Sequence, residues 1–279
     1  MSEKDSFIDL GKINNAKVKS KKHTPSSIQA DTLFTFMNCL DYLIQIINTS
    51  MVSPRYCVED ISYLKLRKIK KIAYPMKCFC DINLHKMNEH LQWYGYYGLA
   101  FSKELGMKNQ IQPIQYINPD SELRADFTNA FQAALDANLK KEPSSFKKLK
   151  SYLFHEMMYY KPYEGKIKNR NTEKIETKCF TDECERRFIP NVKNTGYKLA
   201  YFQDNILNDG LIEDISNSMI GNKDVSLCFD YSDIKYIIIK DNEDLKHLTN
   251  AIENLDILDE DKHLMLSKII IWNNSKGDF

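Results

Sequence analysis

The sequence predicts an α+β protein with a mixed, mainly antiparallel sheet and packed helices. Short apolar or alternating segments typical of strands are interspersed with amphipathic segments of uneven length typical of helices. These segments do not follow the regular strand–helix alternation of a doubly wound fold. The 279 residues, of which 43% are hydrophobic and 28% charged, suffice for a full buried core.

Hydrophobic periodicity places the elements of the first part of the chain. Residues 32–36 alternate like a strand, and Asn38 is expected to cap the following helix, because its side-chain oxygen can accept a backbone N–H. Residues 52–56 indicate an extended turn. The stretch 74–118 predicts a buried strand at 76–80, a helix with two histidines over 83–90 and an aromatic cluster at 93–97. A second pair of strands is predicted at 99–101 and 114–117.

The remaining elements are predicted in the same way. The polar, charged residues 161–178 indicate a loop or hairpin, and a short strand ends at residues 188–190. A weak helix over 205–219 is expected to be interrupted at Gly210, and Leu123 is assigned to the apolar side of the helix that it begins. The other helices are predicted at 123–139, 146–158 and 244–255, and the other strands at 227–229, 234–240 and 266–272.

Residues 1–30 are predicted to be a flexible, basic N-terminal tail, and residues 31–279 a single domain. The net charge of +1 gives no general attraction to nucleic acid or to an acidic membrane. Nucleic acid is therefore a candidate partner only through the tail. No apolar run approaches the ~20 residues that a membrane-spanning helix needs, so no membrane association is expected.

Seven cysteines are scattered over the chain, and the polar N-terminus lacks the apolar core of a secretory signal. This combination predicts reduced thiols and a cytoplasmic protein. A metal site of Cys78, Cys80, His85 and His90 is disfavoured, because histidines five apart on a helix point about 140° apart. The spacing also fits no usual zinc pattern. No metal is therefore expected, and the two cysteines are interpreted as small core residues on one face of a strand.

Glu183 and Glu185 are the candidate catalytic pair. On a strand they would share one face with Arg187, whereas Arg186 and Phe188 would lie on the other face. Two close carboxylates can divide their pKa values and act as acid and base. The alternative is the solvated start of a hairpin with internal ion pairs. The common nucleotide-binding, serine hydrolase and metalloprotease motifs are absent from the sequence.

Residues 93–97 place a tryptophan and three tyrosines around a glycine. Such rings can stack on a nucleobase or a nicotinamide ring. The alternative is that they pack on the sheet at the end of a helix. His90, Tyr94 and Tyr97 are therefore candidate pocket residues.

Seven segments form an ordered pattern from residue 31 to residue 279. They are 32–36 (TLFTF), 53–60 (SPRYCVED), 75–82 (PMKCFCDI), 94–103 (YGYYGLAFSK), 161–165 (KPYEG), 182–186 (DECER) and the C-terminal residues 267–279. In this order they resemble the AbiGi family of bacterial abortive-infection proteins. The resemblance implies an antitoxin in phage defence, whose cognate partner is an AbiGii-like toxin related to nucleotidyltransferases.

A weaker similarity is to the ADP-ribosyltransferase arrangement of an early histidine, a small polar residue on a middle strand and a late glutamate. The corresponding positions are Thr35, Cys80 and Glu185, with threonine where the pattern has histidine. The similarity implies that the early residue would hold NAD and that Glu185 would stabilise positive charge developing on the ribose. The remaining candidate pocket residues are Arg55, Tyr56 and Arg186.

Three functions follow, in order of preference. The first is an antitoxin that binds and neutralises or regulates a partner toxin, with no catalysis and no required cofactor. The alternative is an ADP-ribosyltransferase-like enzyme that uses NAD to modify nucleic acid, protein or a nucleotide. The third is a DNA-binding repressor, which the near-neutral charge and the lack of a recognisable helix-turn-helix disfavour.

Overall fold

The computed structural model describes residues 28–137, 143–169, 172–202 and 209–278. Over these residues a mixed, mainly antiparallel sheet packs with helices, which confirms the predicted α+β class. Most of the predicted N-terminal tail, residues 1–27, lies outside the described residues. Residues 28–30 lead into the first strand, and Ala30 is already buried.

The strands and helices of the described residues are numbered in chain order. The strands are β1 (Thr32–Met37), β2 (Met51–Val52), β3 (Arg55–Asp60), β4 (Lys71–Cys80), β5 (Tyr97–Ser102), β6 (Gln112–Pro113), β7 (Gln115–Ile117), β8 (Tyr160–Pro162), β9 (Glu164–Lys168), β10 (Ile175–Cys179), β11 (Glu185–Phe188), β12 (Leu227–Cys228), β13 (Ile234–Ile239) and β14 (Ile269–Ile271). The helices are α1 (Leu40–Thr49), α2 (Asn88–Tyr94), α3 (Lys103–Lys108), α4 (Glu122–Asp136), α5 (Ser144–Met158), α6 (Asp209–Ser218), α7 (Asn242–Glu253), α8 (Asp259–Leu266) and α9 (Trp272–Ser275).

An eight-stranded sheet forms the centre of the protein. Its strands run in the order β14-β13-β5-β1-β4-β11-β6, and β3 pairs with β4 outside that order. The β13–β14 pair is parallel, and the other pairs in this sheet are antiparallel. The strands β9 and β10 form the hairpin that was one of the two predictions for residues 161–178.

Strand alternation gives the central sheet two different faces. In β1, Leu33 and Met37 belong to a core that includes residues of α1 and α7. Phe34 and Phe36 belong to a second core, which includes Cys80 and residues of α2. Phe34 lies directly opposite Cys80 in the antiparallel β1–β4 pair, so the two side chains share a face.

A third core lies where α4 and α5 cover the first half of β4. Phe131, Phe154 and Tyr74 are almost completely buried there. Burying one large apolar side chain contributes roughly 1.5–3 kcal/mol, so these rings hold the helix pair to the strand. The first half of β4 is therefore held by the helix pair, and the end of the strand leads into the site.

Two helical expectations are wrong. Cys39, with extended backbone, precedes α1 and no side chain caps the first turn, so Asn38 is not the cap. Residues 83–90 form a 3₁₀ turn at Leu84–Lys86 followed by α2, and the two predicted histidines lie in separate elements. This break lets Met87 and Leu91, both fully buried, pack on the sheet.

Several strand boundaries also differ from the prediction. The strands β5 and β7 do not pair, because α3 follows β5 and redirects the chain, and β7 pairs with β8. The last strand has only three residues, since α8 ends at Leu266 and α9 begins at Trp272. Residues 52–56 contribute to β2 and β3 and are not a free turn.

Two predictions about single helix residues are corrected. Gly210 lies in the first turn of α6 and does not interrupt it, while residues 203–208 lie outside the described residues. Leu123 does not lie on the apolar side of α4 and is 54% exposed, because the first residue of this helix that packs into the core is Phe127.

Candidate functional site

A cleft of about 610 Å³ opens beside the end of β4 and the turn that precedes β11. Its lining combines charged, aromatic and thiol side chains. Among them are Asp81, His90, Trp93, Lys178, Glu183 and Cys184. The predicted residues His90 and Glu183 thus lie in one cavity.

The strand β11 directly follows Glu183 and Cys184, which line this cleft. Glu185 lies directly opposite Cys80, and Arg187 lies opposite Cys78, in the antiparallel pairing with β4. Glu185 and Arg187 share one face, and Arg186 lies on the other, as the alternation of the sequence predicted.

Lys161 is the centre of a buried ion-pair cluster. Its Nζ lies 2.6 Å from Glu183 Oε2 and 2.6 Å from Glu185 Oε2. The second oxygen of Glu185 accepts a 2.6 Å hydrogen bond from Nε of Arg187. Lys178 Nζ lies 2.8 Å from Glu183 Oε1, so both carboxylates have cations on two sides.

The charges of this cluster stabilise one another. Burial alone would raise the pKa of Glu185, but the Arg187 guanidinium and the Lys161 ammonium outweigh it and hold the pKa well below its ordinary value. Burial also opposes ionisation of Glu183, but Lys161 and Lys178 together lower its pKa. Both carboxylates are therefore ionised at neutral pH, and the pair is not divided into an acid and a base.

The aromatic wall of the cleft surrounds a lysine. Lys178 Nζ lies 4.2 Å from the Tyr94 ring centroid and 4.9 Å from that of Trp93. These are cation–π distances. The Tyr94 hydroxyl donates a hydrogen bond to Glu183. The rings thus pack on the protein's own ion-pair cluster.

His90 joins this wall as a neutral side chain. Its ring centroid lies 4.6 Å from that of Tyr94 and 5.6 Å from that of Phe36. Burial lowers the pKa of His90 to about 3, and the Lys178 charge adds to the effect. The imidazole is therefore uncharged at neutral pH and can donate and accept one hydrogen bond each.

A second ion cluster lies on the other side of β11. Asp81 Oδ1 and Oδ2 accept hydrogen bonds of 2.8 and 2.7 Å from Nζ of Lys103. Arg186 donates to Asp81 Oδ2 from Nε at 2.9 Å and from Nη2 at 2.6 Å. The candidate Arg186 is thus committed to Asp81 and does not reach the Glu185 side.

The proposed grouping of Thr35, Cys80 and Glu185 is wrong. Because Phe34 and not Thr35 faces Cys80, Thr35 lies on the opposite face of the sheet. Its hydroxyl donates a 3.1 Å hydrogen bond to the carbonyl oxygen of Cys78. Burial raises the pKa of the Cys80 thiol well above its ordinary value, and the charge on Glu183 adds to the effect, so this cysteine remains protonated.

Three other candidates lie away from the cleft. Tyr97 is opposite Met37, and its hydroxyl lies 3.2 Å from Asp244 Oδ2. The Tyr56 hydroxyl donates to the carbonyl oxygen of Lys198 within a separate core. Arg55 donates a 3.0 Å hydrogen bond to Asn217 Oδ1. Five candidates lie in the cleft or contact the residues around it: Cys80, His90, Tyr94, Glu183 and Glu185.

Sequence reasoning did not identify Lys161, Lys178 and Lys103 as site residues. The partners of two of these lysines are distant in the chain: Lys161 and Glu183 are 22 residues apart, as are Lys103 and Asp81, whereas Lys178 is close in sequence to Glu183. No local pattern marks such a lysine. The available signals were the positions of Lys161 at the start of the segment KPYEG and of Lys103 at the end of the segment YGYYGLAFSK.

The cysteines and histidines considered for a metal are dispersed. Cys80 is buried, Cys78 is exposed, and His85 and His90 lie in different elements. The interpretation of Cys78 as a core residue is therefore wrong. Within the described ranges, no group of three or more His, Cys, Asp or Glu side chains is arranged to hold a metal ion.

Comparisons with known proteins give a consistent result. The family model "Putative abortive phage resistance protein AbiGi, antitoxin" matches residues 49–240. The "Abortive phage resistance protein AbiGi" of Lactococcus lactis subsp. cremoris is 32% identical over 245 residues, which cover 81% of this chain and 98% of that protein. No solved structure matches the chain, so the likeness to ADP-ribosyltransferases stays a prediction. None of the helices in the described residues is long and apolar enough to cross a membrane.

Proposed function

The chain belongs to the AbiGi family of abortive phage resistance proteins, and on that premise we propose that it is an antitoxin that neutralises a partner toxin by direct binding. The observation that carries the proposal is the match to the family's antitoxin model over residues 49–240. The near-complete coverage of the Lactococcus relative supports it.

The partner in this proposal is an AbiGii-like toxin related to nucleotidyltransferases. The encounter takes place in the cytoplasm, which suits a chain whose seven cysteines are all free thiols. Neutralisation requires a persistent complex and no chemical step by the antitoxin. The toxin is then inactive for as long as its partner remains bound.

The charge arrangement of the cleft supports a binding role over catalysis. Glu183 and Glu185 are each engaged by two cations, and Asp81 by Lys103 and Arg186. A group committed to buried ion pairs is poorly placed to exchange protons with a substrate. The cleft wall is better suited to holding a fixed shape.

The alternative of NAD-dependent ADP-ribosyl transfer has weaker support. Thr35 lies on the wrong face of the sheet for a shared site with Glu185. The Glu185 carboxylate is ion-paired with Lys161 and Arg187, so it has no free oxygen for the ribose. The remaining support is the aromatic wall, where Lys178 already lies over both Trp93 and Tyr94.

Co-expression tests the antitoxin proposal. We expect the chain, produced together with an AbiGii-like toxin, to restore growth and to co-purify with the toxin. An empty vector and a frameshifted gene are the controls. Continued toxicity, together with recovery of the two proteins separately, would refute the proposal.

A further inference from the structure

A second cavity, of about 340 Å³, shares no lining residue with the cleft. It is a groove between α1, the β2–β3 connection and the turn that follows α6. Its floor is apolar and includes Phe36, Met37 and Met51. Its rim carries Tyr42 and Ile220.

The rim exposes apolar groups to solvent. Tyr42 is 53% exposed and Ile220 is 37% exposed. Tyrosine, methionine and arginine are among the side chains enriched in protein–protein interfaces. The groove presents all three types, in Tyr42, Met51 and Arg55.

The charges of the groove have one sign. Arg55 and Lys77 line it, and none of its described lining residues carries a carboxylate. Among the described residues, Arg55 pairs with Glu213, at 4.0 Å and exposed to solvent. An exposed pair at that distance contributes little, so Arg55 can exchange it for a new partner.

The rim is held in place before any partner binds. Ser53 Oγ accepts a 3.1 Å hydrogen bond from the backbone N–H of Gly221 and lies 3.0 Å from Ser226 Oγ. Asn217 Oδ1 accepts the 3.0 Å hydrogen bond from Arg55. A preformed groove loses less conformational entropy on binding than a mobile one.

We propose that this groove is the docking surface for the toxin, and that it receives a segment carrying an apolar anchor side chain beside an aspartate or glutamate. The inference rests on the proposed antitoxin function. The anchor enters between Tyr42 and Ile220, and the carboxylate meets Arg55. A volume near 340 Å³ is at the lower end of the ~300–1,000 Å³ of binding pockets, which suits the side chains of one short segment.

Site-specific photo-crosslinking tests where the toxin lies. The full-length chain carries p-benzoylphenylalanine at position 42, and the control carries it at Tyr152, which is 57% exposed on α5. We expect a covalent adduct with the toxin from position 42 and none from position 152. The reverse pattern, or an adduct with nucleic acid at position 42, would overturn the docking surface.

Charge reversal gives an independent readout. Arg55→Glu is expected to raise the Kd of the toxin complex at least about tenfold. The control Arg67→Glu, at another exposed arginine, is expected to change this Kd less than about twofold. Circular dichroism and thermal melting of both variants show whether they are folded. If Arg55→Glu does not fold, Tyr42→Ala is measured in its place, with Tyr152→Ala as its control.

The outcomes separate the two proposals. A wild-type complex that is insensitive to Arg55→Glu and Tyr42→Ala would overturn the docking surface and leave the antitoxin function standing. Failure of the wild-type chain to bind the toxin would overturn both.

Discussion

At the scale of single residues, Lys161 is the side chain on which the buried charges of the cleft depend most. It contacts the carboxylates of both Glu183 and Glu185 at 2.6 Å. Those glutamates are themselves buried, so water cannot replace the lysine. Removing one partner of a buried pair is strongly destabilising because it leaves an uncompensated charge behind.

Lys161→Met is therefore expected to lower the free energy of unfolding by about 3–5 kcal/mol. The control is Lys166→Met on the exposed hairpin strand β9, which should change the free energy of unfolding by less than about 0.5 kcal/mol. Urea denaturation of both variants measures the difference. A loss below about 1 kcal/mol for Lys161→Met would show that the cluster does not have the arrangement described.

His90 gives the protein a pH-dependent stability. Its pKa is about 3 in the folded state, because of burial and the nearby Lys178, against roughly 6.5 when unfolded. Between these two pH values the unfolded state binds more protons than the folded state, so the free energy of unfolding falls as the pH is lowered from about 6.5. Well above pH 6.5 the residue contributes no pH dependence, because it is then neutral in both the folded and the unfolded state.

Replacing His90 by glutamine should remove this part of the pH dependence. We expect wild type to lose about 1–2 kcal/mol more stability than His90→Gln between pH 7 and pH 5. Urea unfolding at the two pH values tests this. Equal losses in both proteins would show that His90 is protonated as readily in the folded state as in the unfolded one.

The residue scale also shows what the sequence could predict. Alternation along β11 correctly separated Glu185 and Arg187 from Arg186. Alternation in β1 would equally have separated Phe34 from Thr35, but the register against β4 comes from pairing between distant segments. The predicted grouping of Thr35, Cys80 and Glu185 was wrong at Thr35, because the order of residues in a chain does not determine the face of the sheet on which each one lies.

At the scale of elements, the junction between α2 and β5 is the most constrained turn near the cleft. Gly95 has a φ of +107°, and a Cβ there would collide with the backbone of Met37. Only glycine adopts this conformation readily. The turn directs the chain from the aromatic wall back into the central sheet.

Gly95→Ala is expected to destabilise the protein by about 2–3 kcal/mol, because the backbone is strained and has no room for a methyl group. Gly210→Ala is the matched control. No atom of the described residues lies within 4 Å of a Cβ at that position in α6, and alanine favours helix, so a gain of up to about 1 kcal/mol is expected. Thermal melting that ranks the two variants in the opposite order would contradict this description of the turn.

Elements with long, strong periodicity were predicted from the sequence, and short ones were not. The helices α4, α5 and α7 and the strand β13 lie close to their predicted places. The strand predicted over 266–272 is only three residues long, Ile269–Ile271. A run of apolar residues does not show where a helix ends and a strand begins. The pairing of β7 with β8 depends on contacts between distant segments, which no local pattern encodes.

At the scale of the whole molecule, two surfaces have different chemistry. The cleft is walled by ion pairs that satisfy one another, whereas the groove combines exposed apolar side chains with cations and has no acidic lining residue among those described. The family membership indicates phage defence, and the groove is the surface that a partner would complete. The antitoxin account therefore depends on a complex and not on a reaction.

Isothermal titration of purified toxin with the purified full-length chain at neutral pH tests this account most directly. We predict a saturable, stoichiometric complex with a Kd below about 1 µM, which corresponds to a binding free energy of about −8 kcal/mol or stronger. Loss of toxin activity should follow the same titration curve. Folded, active toxin that gives no binding heat, and that keeps its activity at every concentration of the chain, would contradict the account.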